Sequence, residues 1–241
     1  MELTLINGTK IDLMRSSLFR DFLQKPGNYI DLILDQINQK NIYSSIIDKM
    51  SPKHGTAVDL GAYVGLVSLF LSPAFKKIIA VEPNPETYLV LCDLIKTSGI
   101  KNIKPLNVAV DAQTGSSFLN VDPANQTSWS MVCSNPAWGY TGTIQPCNVL
   151  SMEDLFSQGK LYNIDFLKIN IEGSEQQLFL SDSFAAMAQK IHNIYFQIHL
   201  VACDTETITT RLNSLGFQLE EITQWNIPEE NHRYFTAKKS S

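Results

Sequence analysis

A short loop of the sequence combines an acidic residue with two glycines at the point where a strand should pass into a helix. Residues 59–65 read DLGAYVG, which has the form DxGxxxG. Gly61 permits a tight turn and lets a ligand approach the main chain, and Gly65 lets the next helix start directly against the sheet. Asp59 could orient an amino group or the amides of the loop. The spacing therefore predicts a small-molecule site, although a helix-start turn without a ligand has the same pattern.

A second carboxylate follows at the end of the next strand-like run, KIIAV at 77–81. Glu82 stands where a carboxylate can accept both hydroxyls of a ribose. A dinucleotide site would more often show GxGxxG, whose third glycine accommodates a pyrophosphate. The chain has no such triplet here, so the pattern favours a nucleoside cofactor without a pyrophosphate, such as S-adenosylmethionine. A nicotinamide-dependent oxidoreductase that uses Gly61 and Glu82 is the weaker alternative.

A third group of polar residues lies in the strand-like run at 164–171 and just beyond it. Lys168, Asn170 and Glu172 alternate with apolar residues, so they should share one face of the strand. Polar groups are costly to bury unless they pair or meet a ligand. Either Lys168 and Glu172 form a local ion pair, or these residues face a ligand.

A helix start follows this polar block. Ser174 and Gln177 have the spacing of a Ser-x-x-Gln capping box. Glu175, in the first turn, suits the positive end of the helix dipole. We therefore expect Glu175 to cap the helix rather than to take part in catalysis.

The elements that must position these residues alternate between strand and helix. Five apolar runs are strand-like, at 56–60, 77–81, 102–110, 164–171 and 191–200. Strands separated by helices are typical of a parallel sheet covered on both faces, which binds ligands at the carboxyl ends of its strands. The tail at 217–239 predicts a final hairpin. The sequence thus predicts a doubly wound α/β fold whose mostly parallel sheet has an antiparallel C-terminal strand.

Two further segments complete the chain of 241 residues, whose length suits a single domain. Residues 16–49 have helical apolar spacing, so residues 1–53 are expected to form an N-terminal helical extension of the core at 54–241. Between 111 and 148 the periodicity fails, which predicts an insertion of short antiparallel strands and loops. Aromatic residues in this insertion could stack on a sugar ring or form a small core: Trp129, Trp138 and Tyr140.

Composition narrows the classes of function. Nineteen Lys and Arg against 24 Asp and Glu give a net charge of −5, which argues against nucleic acid, because phosphate binding usually needs a basic surplus. No apolar run approaches the roughly 20 residues of a membrane span, and residues 1–10 lack the pattern of a signal peptide. A cytoplasmic protein is expected. The cysteines have no CxxC or zinc spacing, so they are expected to be reduced thiols.

Three of these motifs occur in the order of a known family. The segments VDLGAYVG at 58–65, VEPN at 81–84 and FLKINIEGSE at 166–175 resemble the FkbM-type methyltransferases, which carry a VDxGAxxG loop, an EP pair and an LKxDxEGxE block. The resemblance covers about residues 56–200. It implies a class I methyltransferase (Rossmann-like) fold with S-adenosylmethionine as methyl donor. It also implies methylation of an oxygen on a small-molecule acceptor, a saccharide or a natural product.

The resemblance further implies roles for individual residues. Asp59, Gly61 and Gly65 would line the methionine part of the cofactor, and Glu82 would hold the ribose. Asn84 and the strand end at 107–110 would lie near the adenine. The remaining cofactor contacts implied at these motifs are Ala62, Pro83, Val108, Ala109 and Asn170.

Two amides stand where the family usually has acids. Asn170 replaces an Asp, and Gln197 stands in place of the Glu of a Glu-x-His strand ending. We therefore expect no catalytic metal, because magnesium and manganese sites usually include at least one carboxylate among their oxygen ligands. The amides also leave a second hypothesis open, in which the domain binds a cofactor or metabolite without turnover.

The same strand ending supplies a candidate general base. His199 falls at the carboxyl end of its strand, and its unperturbed pKa of about 6.5 suits proton transfer at neutral pH. Glu172 could orient His199 or accept the proton itself, and Asn170 could position cofactor or acceptor. Alternatively, His199 only hydrogen-bonds a loop. The other histidines are expected to have no role in the site: His54, His192 and His232.

Overall fold

The computed structural model describes residues 1–25, 28–38, 42–50, 55–121, 131–132, 143–223 and 231–240. The chain begins with an antiparallel pair of short strands, β1 (Glu2–Thr4) and β2 (Lys10–Asp12). Three helices follow, α1 (Ser17–Leu23), α2 (Ile30–Asn38) and α3 (Ile42–Lys49). The sequence predicted helical structure here but not the strand pair, whose strands have only three residues each.

The next part of the chain alternates strand and helix as predicted. It contains β3 (Thr56–Leu60), α4 (Leu66–Leu71), β4 (Lys77–Val81), α5 (Pro85–Ser98) and β5 (Ile103–Leu106). Asn84 caps α5 by accepting a hydrogen bond from the amide of Glu86, and Gly99 ends the helix in the left-handed region. The strand predicted at 102–110 is shorter, because residues 109–110 leave this sheet and pair elsewhere.

A second sheet occupies the predicted insertion. Its strands are β6 (Ala109–Val110), β7 (Gly115–Val121), β8 (Met131–Val132) and β9 (Thr143–Leu150), in the order β6-β9-β7-β8. β7 and β9 pair antiparallel. Trp129, Trp138 and Tyr140 lie outside the described residues.

The rest of the chain returns to alternating helices and strands. It contains α6 (Met152–Gly159), β10 (Phe166–Ile169), α7 (Glu175–Leu180), α8 (Asp182–Met187), β11 (Asn193–His199), α9 (Thr205–Ser214), β12 (Phe217–Glu221) and β13 (His232–Lys239). β12 and β13 form the predicted hairpin. The capping box predicted at Ser174 is wrong, because that side chain makes no capping hydrogen bond to α7.

The central sheet has the order β12-β13-β11-β10-β3-β4-β5. β11, β10, β3, β4 and β5 are parallel, and β13 is antiparallel to both of its neighbours. Helices α1–α5 pack on one face of the sheet and α6–α9 on the other. The doubly wound α/β fold with an antiparallel C-terminal strand is confirmed.

Apolar side chains hold the two helical layers on this sheet. On the second face, Phe179 of α7 packs edge to face on Phe196 of β11 and on Phe184, with ring centroids 5.0 Å apart in each pair. Each fully buried aromatic side chain of this kind contributes about 1.5–3 kcal/mol relative to an exposed one. Among the described residues, no helix has the length and hydropathy that a membrane span requires.

Candidate active site

A cavity of about 330 Å³ opens at the carboxyl ends of the parallel strands. Its first wall consists of the residues that follow β3, β4 and β5, namely 61–63, 82–83 and 108–110. Its second wall consists of the residues after β10, 170–172, together with the end of β11. This is the edge at which parallel sheets bind ligands.

The glycine loop forms the bottom of the first wall. Gly61, Tyr63 and Gly65 all have positive φ, at 75°, 54° and 87°, and the amide of Gly61 donates to the carbonyl of Val81 at 3.0 Å. A Cβ on Gly61 would stand 1.8 Å from the carbonyl oxygen of Asn170. The missing side chain at Gly61 therefore makes room for the loop after β10, and not only for a ligand.

Asp59 lies beneath this loop and not in the cavity lining. Its carboxylate forms a 2.9 Å ion pair with Lys168 and accepts a 2.7 Å hydrogen bond from Ser68. Lys168 also donates to the carbonyls of Leu60 and Gly61, at 3.2 and 2.6 Å. Lys168 thus pairs across two strands with Asp59 and not locally with Glu172, the alternative that alternation along one strand suggested.

Glu82 is buried at the next strand end, with its carboxylate in the cavity wall. It accepts hydrogen bonds from the amides of Tyr63 and Asn84, at 2.8 and 2.9 Å, and from the hydroxyl of Thr87 at 2.9 Å. Burial raises the pKa of Glu82, and these hydrogen bonds partly oppose that shift. A carboxylate has about four acceptor positions, so one remains for a ribose hydroxyl.

The second wall contains a buried carboxylate that the sequence interpretation gave a different role. Glu175 is fully buried and accepts hydrogen bonds from the amides of Ile171 and Gly173, both at 2.9 Å. Its Oε1 also lies 3.0 Å from Nδ1 of His199. Burial alone would raise the pKa of Glu175, but His199 and the amides bring it below its usual value. Glu175 therefore supports the site as well as starting α7.

His199 lies between two carboxylates and is only 1% exposed. Its Nδ1 faces Glu175 at 3.0 Å, and its Nε2 faces Glu172 at 3.2 Å. Burial would lower the pKa of His199, yet the two carboxylates raise it to about 10. The raised pKa favours a ring that is protonated on both nitrogens at neutral pH, a form with no free nitrogen to accept a proton, whereas the sequence predicted the ordinary pKa of about 6.5.

Glu172 reaches the cavity through an unusual main-chain conformation. It has a positive φ of 56°, followed by Gly173 at 100°, and positive φ is uncommon for residues with a side chain. The strand β10 ends at Ile169, so Glu172 does not continue the strand face that alternation predicted. Strained residues of this kind cluster at functional sites.

Asn170 supplies a polar atom to the same wall. Its Oδ1 is buried and accepts no hydrogen bond from the residues that the structure describes, while its main-chain amide donates to Leu60 at 3.1 Å. A buried carbonyl without a donor costs about 1–3 kcal/mol. A ligand with an N–H or O–H group would remove that cost.

His232 also lines the cavity, which the sequence did not indicate. It begins β13 directly opposite His199 in the antiparallel register, and the two rings meet edge to face with centroids 4.7 Å apart. Burial and the neighbouring His199 lower the pKa of His232 to about 4. By contrast, His192 pairs with Asp165 at the opposite end of the strands, and His54 is outside the described residues.

The predicted cofactor residues divide into two groups. Those that line the cavity are Gly61, Ala62, Glu82, Pro83, Val108, Ala109 and Asn170. Asp59, Gly65 and Asn84 lie behind this lining: Gly65 packs on Leu91 of α5, and the main-chain amide of Asn84 donates to Glu82. These three residues support the lining residues from behind and do not face the cavity themselves.

The N-terminal segment contributes a further wall. Tyr29, Leu32, Ile33 and Gln36 from α2 and its start, and Tyr43 from α3, line the same cavity. Leu32 stays 38% exposed although it is apolar. The part of the chain that the structure describes contains no group of three or more His, Cys, Asp or Glu residues able to hold a metal ion.

Several solved structures are similar in fold. SMU.1697c, a putative methyltransferase from Streptococcus mutans in complex with SAH, is 8% identical, with 83% of this chain and 97% of that chain covered and a TM-score of 0.52. The N-terminal domain of EvdMO1, in the presence of SAH and D-fucose, is 12% identical, with coverage of 83% and 82% and a TM-score of 0.52. TrmK from M. capricolum, in complex with S-adenosyl-homocysteine, is 12% identical, with coverage of 82% and 67% and a TM-score of 0.50.

Likeness at such low identity shows the class I methyltransferase fold alone. No curated protein matches the chain in sequence. The model of the methyltransferase FkbM domain matches residues 59–225, which is more than half of the chain and includes the glycine loop, Glu82 and the whole second wall up to His199. This protein therefore belongs to the FkbM methyltransferase family.

Proposed function

We propose that this protein transfers a methyl group from S-adenosylmethionine to a hydroxyl oxygen of a small molecule, a saccharide or a natural product. The observation that carries the proposal is one cavity with two unlike halves. The half after β3, β4 and β5 suits a nucleoside, and the half after β10 and β11 presents the carboxylate of Glu172. The family match and the similar structures that contain the demethylated cofactor support the donor.

The residues present fit the cofactor. Glu82 would accept one ribose hydroxyl, residues 108–109 would lie against the adenine, and the main chain at 61–62 would border the methionine part. The buried Oδ1 of Asn170, which has no donor among the described residues, would accept a hydrogen bond from the methionine ammonium or the acceptor. When bound, the cofactor supplies a methyl group activated by a positively charged sulfur.

The chemistry left to the protein is positioning and proton removal. Methyl transfer is an in-line displacement, so holding the hydroxyl oxygen on line with the methyl carbon supplies much of the rate. Glu172 would accept the proton that the acceptor hydroxyl loses on methylation. Because both ring nitrogens of His199 face carboxylate oxygens, His199 would hold Glu172 in place instead of acting as the base. A general base of this kind contributes about 10²–10⁴-fold.

A second candidate function is binding of cofactor or metabolite without turnover. It is favoured by the two amides in the second half of the cavity, Asn170 and Gln197. The amide of Gln197 lies 3.5 Å from Nε2 of His199. Neither amide can accept a proton, so under this function Glu172 would only hold a ligand.

Two measurements test these functions. First, calorimetric titration with S-adenosylmethionine, S-adenosylhomocysteine and NAD should give binding for the first two and none for NAD; the reverse result would contradict the donor. Second, turnover of a panel of hydroxylated acceptors should identify a substrate. With that substrate, Glu172→Gln should lower kcat by about 10²–10⁴-fold and leave the cofactor affinity unchanged. Glu206→Gln, an exposed residue of α9, is the matched control.

The outcomes separate the two functions. If the protein binds cofactor and methylates no acceptor of the panel, the binding function is favoured. If Glu172→Gln keeps full turnover of a proven acceptor, Glu172 is not the base. Full activity in the presence of a metal chelator is the expected result for a site that works without a divalent cation.

A further inference from the structure

One buried carboxylate joins the loop after β10, the start of α7 and the end of β11. We infer that Glu175 is a positioning residue, which keeps His199 as a fixed cation and through it holds Glu172 in the cavity. This inference rests on the proposed function in one respect, since it takes Glu172 as the base that accepts the proton of the acceptor hydroxyl. The arrangement of the three side chains carries the rest.

The first step of the argument is the loop itself. The amides that donate to Glu175 belong to Ile171 and Gly173, the two neighbours of Glu172 in the chain. Both bonds are 2.9 Å long and end on a carboxylate that is fully buried. Glu175 therefore closes a tight turn around Glu172, which stabilises the positive φ of 56° at that residue. The turn directs the Glu172 side chain to the cavity.

The second step concerns the proton count on His199. Both of its ring nitrogens face carboxylate oxygens, at 3.0 Å from Glu175 and 3.2 Å from Glu172. A carboxylate can only accept, so each nitrogen must carry a proton for both contacts to be hydrogen bonds. With a neutral ring, the two carboxylates would lie on either side of it with no positive charge between them. The imidazolium form is the one that this geometry stabilises.

The other described groups that face His199, Glu172 and Glu175 do not alter the protonation that this geometry gives His199. His232 of β13 meets the His199 ring edge to face, and burial keeps the pKa of His232 low, so it is neutral at pH 7. Cys203 lies 3.5 Å from Glu175, and burial raises the pKa of its thiol to about 12. Gln197 is an uncharged amide, and its Nε2 lies 3.5 Å from Nε2 of His199, farther than the Glu172 oxygen at 3.2 Å. Among the described side chains named here, His199 is thus the one that the two carboxylates hold in the charged form.

The third step connects the cation to the chemistry. Because Nε2 of His199 is held at Glu172, the charged ring fixes one oxygen of that carboxylate and leaves the other for the acceptor hydroxyl. Glu175 acts on Glu172 from two sides, through the turn and through His199, while not lining the cavity itself. The sequence alone indicated only that Glu175 caps the first turn of its helix.

The test measures the protonation state of His199 in the intact protein, by NMR of its two ring nitrogens. Comparison with the spectrum of His199→Gln assigns the signals. In the wild type, both ring nitrogens should carry protons from pH 6 to pH 8. In Glu175→Gln, the titration midpoint of His199 should fall by more than about one pH unit, because one of the two carboxylates has lost its charge. Glu206→Gln should leave the midpoint where it is.

Two results would overturn the inference. One is a wild-type His199 that is neutral at pH 7, and this result does not depend on Glu175→Gln, so it stands even if that variant does not fold. The other is a Glu175→Gln protein that binds S-adenosylhomocysteine like the wild type and keeps the wild-type midpoint. Failure of the wild type to bind cofactor or methylate any hydroxyl would instead contradict the proposed function, with the ring titration unaffected.

Discussion

Asp59 and Lys168 form an ion pair across β3 and β10, with Oδ1 and Nζ 2.9 Å apart and side chains that are 2% and 5% exposed. The pair joins the two central strands at the point where both enter the site. Since Lys168 also donates to the carbonyl of Gly61 at 2.6 Å, it fixes the first turn of the glycine loop. Lys168 therefore contributes to the site by fixing the conformation of the glycine loop.

Removing one member of this pair should destabilise the fold strongly. Lys168→Met leaves Asp59 as a buried carboxylate without its cation, and breaking such a pair typically costs about 3–5 kcal/mol. Urea unfolding should show that loss, and the double variant Asp59→Asn with Lys168→Met should lose less than the sum of the single changes. An unchanged unfolding midpoint in Lys168→Met would show that the pair contributes nothing.

Gly61→Ala can be compared with Gly99→Ala, which places an alanine in the same left-handed main-chain conformation. Gly61 and Gly99 both have a φ of 75°, but a Cβ at Gly61 would stand 1.8 Å from the Asn170 carbonyl, whereas nothing lies within 4 Å of one at Gly99. Gly99→Ala should cost about 1–2 kcal/mol, the cost of a left-handed alanine. Gly61→Ala should cost clearly more and weaken S-adenosylhomocysteine binding, measured by calorimetry. Equal losses of stability in the two variants would mean that the loop after β10 moves away freely.

Glu82→Gln should weaken cofactor binding without a change in the size of the side chain. It removes the charge from the one hydrogen bond that Glu82 has free for the ribose, worth about 1.5–3 kcal/mol, so the dissociation constant for S-adenosylmethionine should rise at least about tenfold. Thr87→Val is the control, because it removes one internal partner of Glu82 at 2.9 Å and leaves the carboxylate charged. If both variants bind like the wild type, Glu82 does not hold the ribose.

Stability should fall as the pH rises above neutrality. The pKa of His199 is raised from 6.5 to about 10, so between these values the folded protein holds a proton that the unfolded chain has released. The stabilisation is complete below pH 6.5 and is lost towards pH 10, with a slope of at most about 1.4 kcal/mol per pH unit. Urea unfolding at several pH values should show this slope in the wild type. In His199→Gln the slope should be reduced, and an equal slope would assign it to other groups.

The fold could be predicted well from local patterns. The apolar runs of β3 and β4 are buried on both faces, so their bounds at 56–60 and 77–81 could be read directly from the sequence. The start and end of α5 followed from the chemistry of Asn84 and Gly99. The third strand was predicted too long, because nothing local indicates that residues 109–110 change sheets.

The site could be predicted only in part. Gly61, Glu82, Asn170 and Glu172 occur in motifs, and the structure brings them to one cavity. The place of His232 depends on the register of β13 against β11, more than 30 residues apart in the chain, which no local pattern encodes. Glu175 was misjudged for the opposite reason, since an acid in a first helical turn has an ordinary local explanation that hides its contact with His199.

The position of β13 also bears on how the chain acquires its sheet. β13 lies between β11 and β12, although it follows both of them in the chain. Until residues 232–239 insert, the facing edges of β11 and β12 present unpaired main-chain N–H and C=O groups, which are templates for pairing with another molecule. The same pairing of β13 with β11 that removes these open edges also places His232 beside His199, so completion of the sheet and completion of the cavity wall occur together.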